Sequence, residues 1–411
     1  MHHWREKFNL KVGHPPNETA QIELFKKAID HSFTRVEDSN EDSYVYRFLN
    51  YGEKKGDYGL RNAISKWVTQ DTKYQVNPDN LFVTNGCSQG LDMLFLALCK
   101  NGDNILIEGP SYYLNITTCR DHKLNVYTVM KDEITGELDL EKVEQTIKEK
   151  NIKAFYVIAT VHNPTSLNLP LHQRNALYNL GKKYQCYIFV DDVYEKFIYD
   201  QSIPRLAPLF YCSDEVVSLK EKHGKEVIEY DNNANHWVIS LNSFNKLINP
   251  GFRIGWIMAE KSIIQKLENL GYVTSGGGVN STLNQFVRSF IELGYIDTAI
   301  ETTQKNFANR IAKCDEVLKS SNAFSYVYPQ GGYFFWLALN DKVNLEKLKS
   351  KLEQEDFIVL FGDGAVDTTT LDKKDLEFLK RRVRLCFTRY ELNRVLDGFA
   401  LFRKLAEESL E

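Results

Sequence analysis

No C-x-x-C pair occurs in this chain, and no run approaches the roughly 18 consecutive apolar residues of a membrane-spanning helix. The seven cysteines (Cys87, Cys99, Cys119, Cys186, Cys212, Cys314 and Cys386) are scattered and odd in number. That pattern argues against a disulfide framework or a zinc site and suits a reducing compartment. Residues 1–7 lack an apolar signal core and carry an early acid, Glu6, so a soluble, cytoplasmic protein without a metal is expected. Neither sign of charge dominates: Lys and Arg total 51 against 55 for Asp and Glu, a net charge of -4. Electrostatics therefore gives no reason to expect a nucleic-acid or membrane partner, and a small-molecule substrate is the expectation. No G-x-G-x-x-G follows a strand, which removes a nicotinamide oxidoreductase. Internal repeats and low-complexity segments are also missing.

What is present is a large apolar complement, 43% hydrophobic and 12% aromatic over 411 residues, enough for two domains. Periodicity predicts helices over 21–31, 59–70, 89–99, 140–150 and 171–184. Short apolar strands are predicted over 81–84, 104–108, 124–129, 154–158, 188–190 and 237–241. This alternation indicates an α/β fold with a mainly parallel sheet covered by helices. Residues 215–236 are charged and read as a surface excursion. From about Tyr295 long amphipathic helices (296–318, 345–353, 375–379, 391–410) surround a few strands. The expected organisation is an arm and part of a small domain over 1–45, a large domain over 46–290, and a small α+β domain over 291–411.

Five segments carry chemistry. Lys246 follows a short strand in a loop with Ser243, Pro250 and Gly251, and Arg253 comes seven residues later. A lysine amine attacks an aldehyde only when deprotonated, and burial favours that state, while a hydroxyl and a guanidinium nearby suit a phosphate dianion. Asp191-Asp192-Val193-Tyr194 ends a strand, as does His162-Asn163-Pro164-Thr165-Ser166. Gly86, Cys87 and Ser88 lie where a strand enters a helix, whose free N–H groups make an anion site. Arg384 lies inside an apolar strand, costly unless it holds an anion. Alone, each has an ordinary reading. Lys246 would be a solvated loop lysine, the Asp pair a helix cap or metal ligand, Asn163-Pro164 a generic turn, and Tyr112 half-buried packing.

Together and in this order, the segments resemble the class I/II aminotransferases of pyridoxal-phosphate (PLP) fold type I. The pattern is nearest to their 2-aminoadipate/kynurenine branch, and it covers residues from about 10 to about 390. The resemblance implies PLP as cofactor, held by Lys246 as a Schiff base, and amino transfer between an L-amino acid and a 2-oxo acid. By the same resemblance, Asp191 pairs with the pyridine nitrogen, Asn163 and Tyr194 hold the ring's phenolic oxygen, and Tyr112 stacks on the ring. Gly86, Cys87, Ser88, Ser243 and Arg253 cradle the phosphate. Tyr51, in Tyr51-Gly52 followed by Gly56, Leu60 and Arg61, reaches the partner's phosphate across a homodimer interface. Arg384 forks onto the substrate α-carboxylate, with the arm residue Gly13 and Asn163 near the substrate. Gly276-Gly277-Gly278 reads as a flexible loop. Two positions depart from the pattern, Ser166 in place of Gly and Asn245 in place of Ser, and both bear on substrate preference. A PLP lyase or decarboxylase on the same fold is the alternative. A PLP-binding regulator would place a helix-turn-helix ahead of Gly13, where only residues 1–12 stand.

Overall fold

The apolar strands between Leu81 and Met258 assemble into one seven-stranded sheet in the computed structural model, which describes residues 7–34, 48–199, 202–203, 205–212, 235–276 and 278–411. Its strands are β1 (Leu81–Thr84), β2 (Asn104–Gly109), β3 (Asn125–Met130), β4 (Ile152–Val157), β5 (Tyr187–Asp191), β6 (Val238–Ser243) and β7 (Gly255–Met258). They lie in the order β1-β7-β6-β5-β4-β2-β3. All neighbours are parallel except around β7, which runs antiparallel to both β1 and β6.

Both faces of this sheet are buried, which explains why the strands read as near-continuous apolar runs. Leu106, Phe155, Val157, Ile188 and Val190 pack into one core cluster. Their sequence neighbours Ile105, Ile107, Ala154, Tyr156 and Phe189 pack into another on the opposite face. Register aligns Val190 with Ser240 and Asp191 with Leu241, so the ends of β5 and β6 stand side by side.

A second, antiparallel sheet is formed by β8 (Phe324–Tyr326), β9 (Phe334–Leu339), β10 (Leu360–Phe361) and β11 (Arg382–Cys386), in the order β10-β11-β9-β8. The arm is stitched to this part of the chain. Phe8–Asn9 pairs parallel with Phe357–Ile358, and Leu10 both donates to the Ile358 carbonyl and accepts from Cys386 N–H, each at 2.8 Å. That stitching brings Lys11, Val12 and Gly13 to the carboxyl end of the large sheet, beside Lys246.

Three local readings shift. The helix expected over 89–99 is Gly86–Leu98, so it begins earlier and its first turn contains Gly86, Cys87 and Ser88. The loop expected around Lys246 is a helical turn, Phe244–Leu247, because the Ser243 hydroxyl accepts the Asn245 N–H at 3.1 Å and caps it. The last helix is Leu392–Glu407 rather than 391–410. Most of the charged 215–236 stretch, and Gly277, lie outside the described residues.

Candidate active site

The carboxyl ends of β1, β2, β4, β5 and β6 converge on one cleft of about 280 Å³, roughly the size that a small ligand needs. Lys246 reaches into it from the capped turn after β6. Its Nζ donates to the Gly13 carbonyl at 2.7 Å and lies 5.0 Å from the Tyr333 ring centre and 5.8 Å from that of Tyr194. Burial disfavours the ammonium form and pulls Lys246 down to about 8, against the opposing pull of Asp191 and Cys386. An amine so lowered is a competent nucleophile near neutrality.

Asp191 faces the cleft from the end of β5. The Tyr156 hydroxyl donates to its Oδ2 at 2.6 Å, and the Cys87 thiol (3.6 Å) and Val193 N–H (3.4 Å) donate to Oδ1. Burial raises the Asp191 carboxyl, and these donors work against the rise. Burial and then Asp191 push the Cys87 thiol well up, so it stays neutral and remains a donor. A buried carboxylate braced in this way is suited to a cationic ring N–H.

An anion cradle lies beside it. Gly86 opens its helix at φ +78, and a Cβ there would come within 2.9 Å of both Arg253 Nη2 and Asn245 Nδ2. The missing side chain leaves room between a helix amino terminus, a guanidinium and an amide, the chemistry a phosphate requires. Asn245 Oδ1, buried, finds no partner among the described residues. Ser243 lines the cleft too, although its hydroxyl caps the turn and also donates to the Ile254 carbonyl at 3.3 Å.

Arg384 enters from β11 of the small sheet. Its Nη1 donates to Asn163 Oδ1 at 2.6 Å, its Nη2 to the Lys11 carbonyl, and its plane covers the Phe334 ring at 4.0 Å. Its buried Nε has no partner among the described residues, leaving a donor for an anion. Asn163 is held by a turn in which Ser166 adopts the left-handed φ of +60. The hydroxyl of Ser166 donates to the Phe334 carbonyl at 2.8 Å, so the departure from Gly keeps the backbone shape and adds a tie to β9. His162 lies in a fully buried group under this turn. Glu108 accepts from Lys131 at 2.9 Å and stands 3.2 Å from His162. Burial would raise Glu108, but Lys131 and His162 outweigh it and hold the carboxyl at about 2.

Of the residues expected from the sequence, Gly13, Cys87, Ser88, Tyr112, Asn163, Asp191, Tyr194, Ser243, Lys246, Arg253 and Arg384 all line this cleft. Gly86 adjoins it. Tyr51 does not reach it: the side chain is 74% exposed, with Gly276 as a neighbour. Sequence reasoning missed Tyr156, Tyr333 and Lys11. A tyrosine inside a buried parallel strand needs a partner for its hydroxyl, a signal that applied to Tyr156.

The sequence profile of the family Aminotransferase class I and II matches residues 5–399, and the chain belongs to that family. It is 25% identical over 414 residues to aromatic-amino-acid aminotransferase 1 of Thermococcus litoralis, covering 98% of this chain and 88% of that protein. Its structure is similar to that of kynurenine aminotransferase from Pyrococcus horikoshii, with a TM-score of 0.79 at 22% identity over 98% of this chain and 91% of that one. It is also similar to LysN, the alpha-aminoadipate aminotransferase of Thermus thermophilus, solved with N-(5'-phosphopyridoxyl)-L-leucine. There the TM-score is 0.76 at 20% identity, over 98% and 92% of the two chains. The protein is a PLP-dependent aminotransferase of fold type I, and the amine, braced carboxylate and anion cradle fit that cofactor. Among the described residues no helix is long and apolar enough to cross a membrane.

Proposed function

We propose that this cleft moves the amino group of an L-amino acid with an apolar or aromatic side chain to a 2-oxo acid. The observation that carries this reading is the meeting of Lys246, Asp191 and Arg384 around one cleft whose lining also includes Val12, Tyr112, Tyr113, Leu114 and Phe334. The aromatic-amino-acid and kynurenine aminotransferases among its relatives support the same choice.

Bound PLP supplies an aldehyde that exchanges amino groups and a ring that withdraws electrons from the substrate Cα. Lys246 Nζ is its attachment point and, once freed, the base that takes the Cα proton. Asp191 keeps the ring nitrogen protonated, with Tyr156 and Cys87 holding the carboxylate in place. Asn163 and Tyr194 would hold the phenolic oxygen, and Tyr112 would cover the ring. Gly86, Cys87, Ser88, Ser243 and Arg253 would hold its phosphate. Arg384 takes the substrate α-carboxylate, with Gly13 and Asn163 beside it. Tyr51, exposed and turned from its own cleft, reaches the phosphate of a second copy, so the working form is a homodimer. Its setting is the cytoplasm, in amino-acid biosynthesis, with no nucleic-acid or membrane partner.

Borohydride reduction of the PLP-loaded protein, followed by peptide mapping, should put the phosphopyridoxyl label on Lys246. Lys246→Ala should carry none and lose about 10²- to 10⁴-fold in amino transfer from phenylalanine to 2-oxoglutarate. A label on any other lysine would overturn the assignment.

A further inference from the structure

Three ionisable side chains lie fully buried beneath the cleft and take no part in the proposed chemistry: Glu108, Lys131 and His162. Buried charges are costly and stabilise no better than an apolar filling, so their presence asks for a task. Glu108, near the end of β2, is the hub. Its Oε2 accepts from Lys131 Nζ at 2.9 Å, and its Oε1 accepts the N–H of Ile158, just past β4. His162 Nε2 stands 3.2 Å from the same Oε1, off the line of a straight hydrogen bond. The other edge of the ring closes the turn that bears Asn163. There Nδ1 lies 2.9 Å from the Thr165 hydroxyl and accepts the Thr165 N–H at 3.4 Å. Burial, and then the Lys131 charge, pull the imidazole's pKa down, so the ring is neutral. Because Nδ1 accepts, its one proton is on Nε2, toward the carboxylate.

Asn163, inside that turn, lines the cleft. Arg384 Nη1 donates to its Oδ1 at 2.6 Å, and a guanidinium only donates. That leaves Asn163 Nδ2 as the edge able to donate to the cofactor's phenolic oxygen. Which way the amide points depends on the turn, and the turn rests on the His162 ring. We infer that Glu108 and His162 are positioning residues, which through Thr165 fix the turn that aims Asn163 at the phenolic oxygen of bound PLP. Lys131 neutralises the carboxylate and lets it stay ionised out of water. A donor on the phenolic oxygen stabilises the oxygen's anion, so a slackened Asn163 raises the pH at which the bound cofactor loses its proton. The inference rests on the proposed function, since the task of Asn163 at that oxygen is assigned there.

The test follows the visible band of the PLP-loaded protein against pH. His162→Phe removes both ring-nitrogen contacts. It should raise the midpoint by about one unit and lower kcat/KM for amino transfer about 10- to 100-fold. Thr165→Val, nearly the same shape, breaks the hydroxyl contact alone and should move the midpoint the same way by less. It decides the matter if His162→Phe does not fold. Adding His162→Phe to Asn163→Ala should move the midpoint no further than Asn163→Ala does, because both act on one bond. A lower melting temperature with an unmoved midpoint would mean that the buried group only fills space. A shift that adds to that of Asn163→Ala would mean that it acts elsewhere; either result overturns the inference. Failure of the proposed function is distinguishable, because the unmutated protein would then form no visible band with PLP at all.

Discussion

The charge state of one amine sets how this protein takes up its cofactor. Only neutral Lys246 can attack an aldehyde, and burial brings its titration to about 8. The sign follows directly: raising the pH removes the proton and speeds attachment. Capture of PLP by cofactor-stripped protein should therefore quicken about tenfold per pH unit below 8 and level off above it. Stopped-flow absorbance would read this. A rate still climbing steeply past pH 9 would return Lys246 to the behaviour of an exposed lysine. At this scale the sequence was legible where a residue type is costly without a reason, as with Arg384 inside a strand or Lys246 after one. It was illegible where the reason lies in a distant partner. Nothing near Tyr156 in the chain announces Asp191, and nothing near Lys11 announces Tyr113.

Elements were readable because period and chemistry agree: helices and strands appear within a few residues of where their apolar spacing put them. The informative misfit is the helix Gly86–Leu98, whose first turn has no apolar face to betray it. Gly86 matters there for the side chain it lacks. Gly86→Ala would strain a backbone at φ +78 and also fill the anion cradle, so PLP affinity should fall at least about tenfold in a fluorescence titration. Gly102→Ala separates the two effects, since Gly102 has a similar φ of +88 but open space around it. That variant should lose about 1 kcal/mol of stability and keep its hold on PLP. If both variants bind PLP equally well, the cradle is misassigned.

Across the whole molecule, strand alternation implied a parallel sheet but not the reversed strand β7, because an apolar strand reads the same in either direction. The proposed pairing of copies rests on Tyr51, which is exposed on its own chain. Sedimentation at micromolar concentration should give a dimer. Mixed dimers should then answer whether sites are shared. Tyr51→Ala subunits, weakened in PLP binding by about tenfold, should regain it when exchanged with Lys246→Ala subunits, which bring an intact tyrosine to the neighbour's phosphate. A monomer with full affinity would contradict the shared site.

The tethering of the arm has a consequence of its own. Gly13 and Lys11 are held through their carbonyls by the two cations, Lys246 and Arg384, that the chemistry also needs. In the proposed function Lys246 Nζ goes to the cofactor and Arg384 to the α-carboxylate, so occupancy and arm position draw on the same two donors. The arm that lines the cleft is thereby fastened from inside it, and filling the cleft would take up the very groups that fasten it.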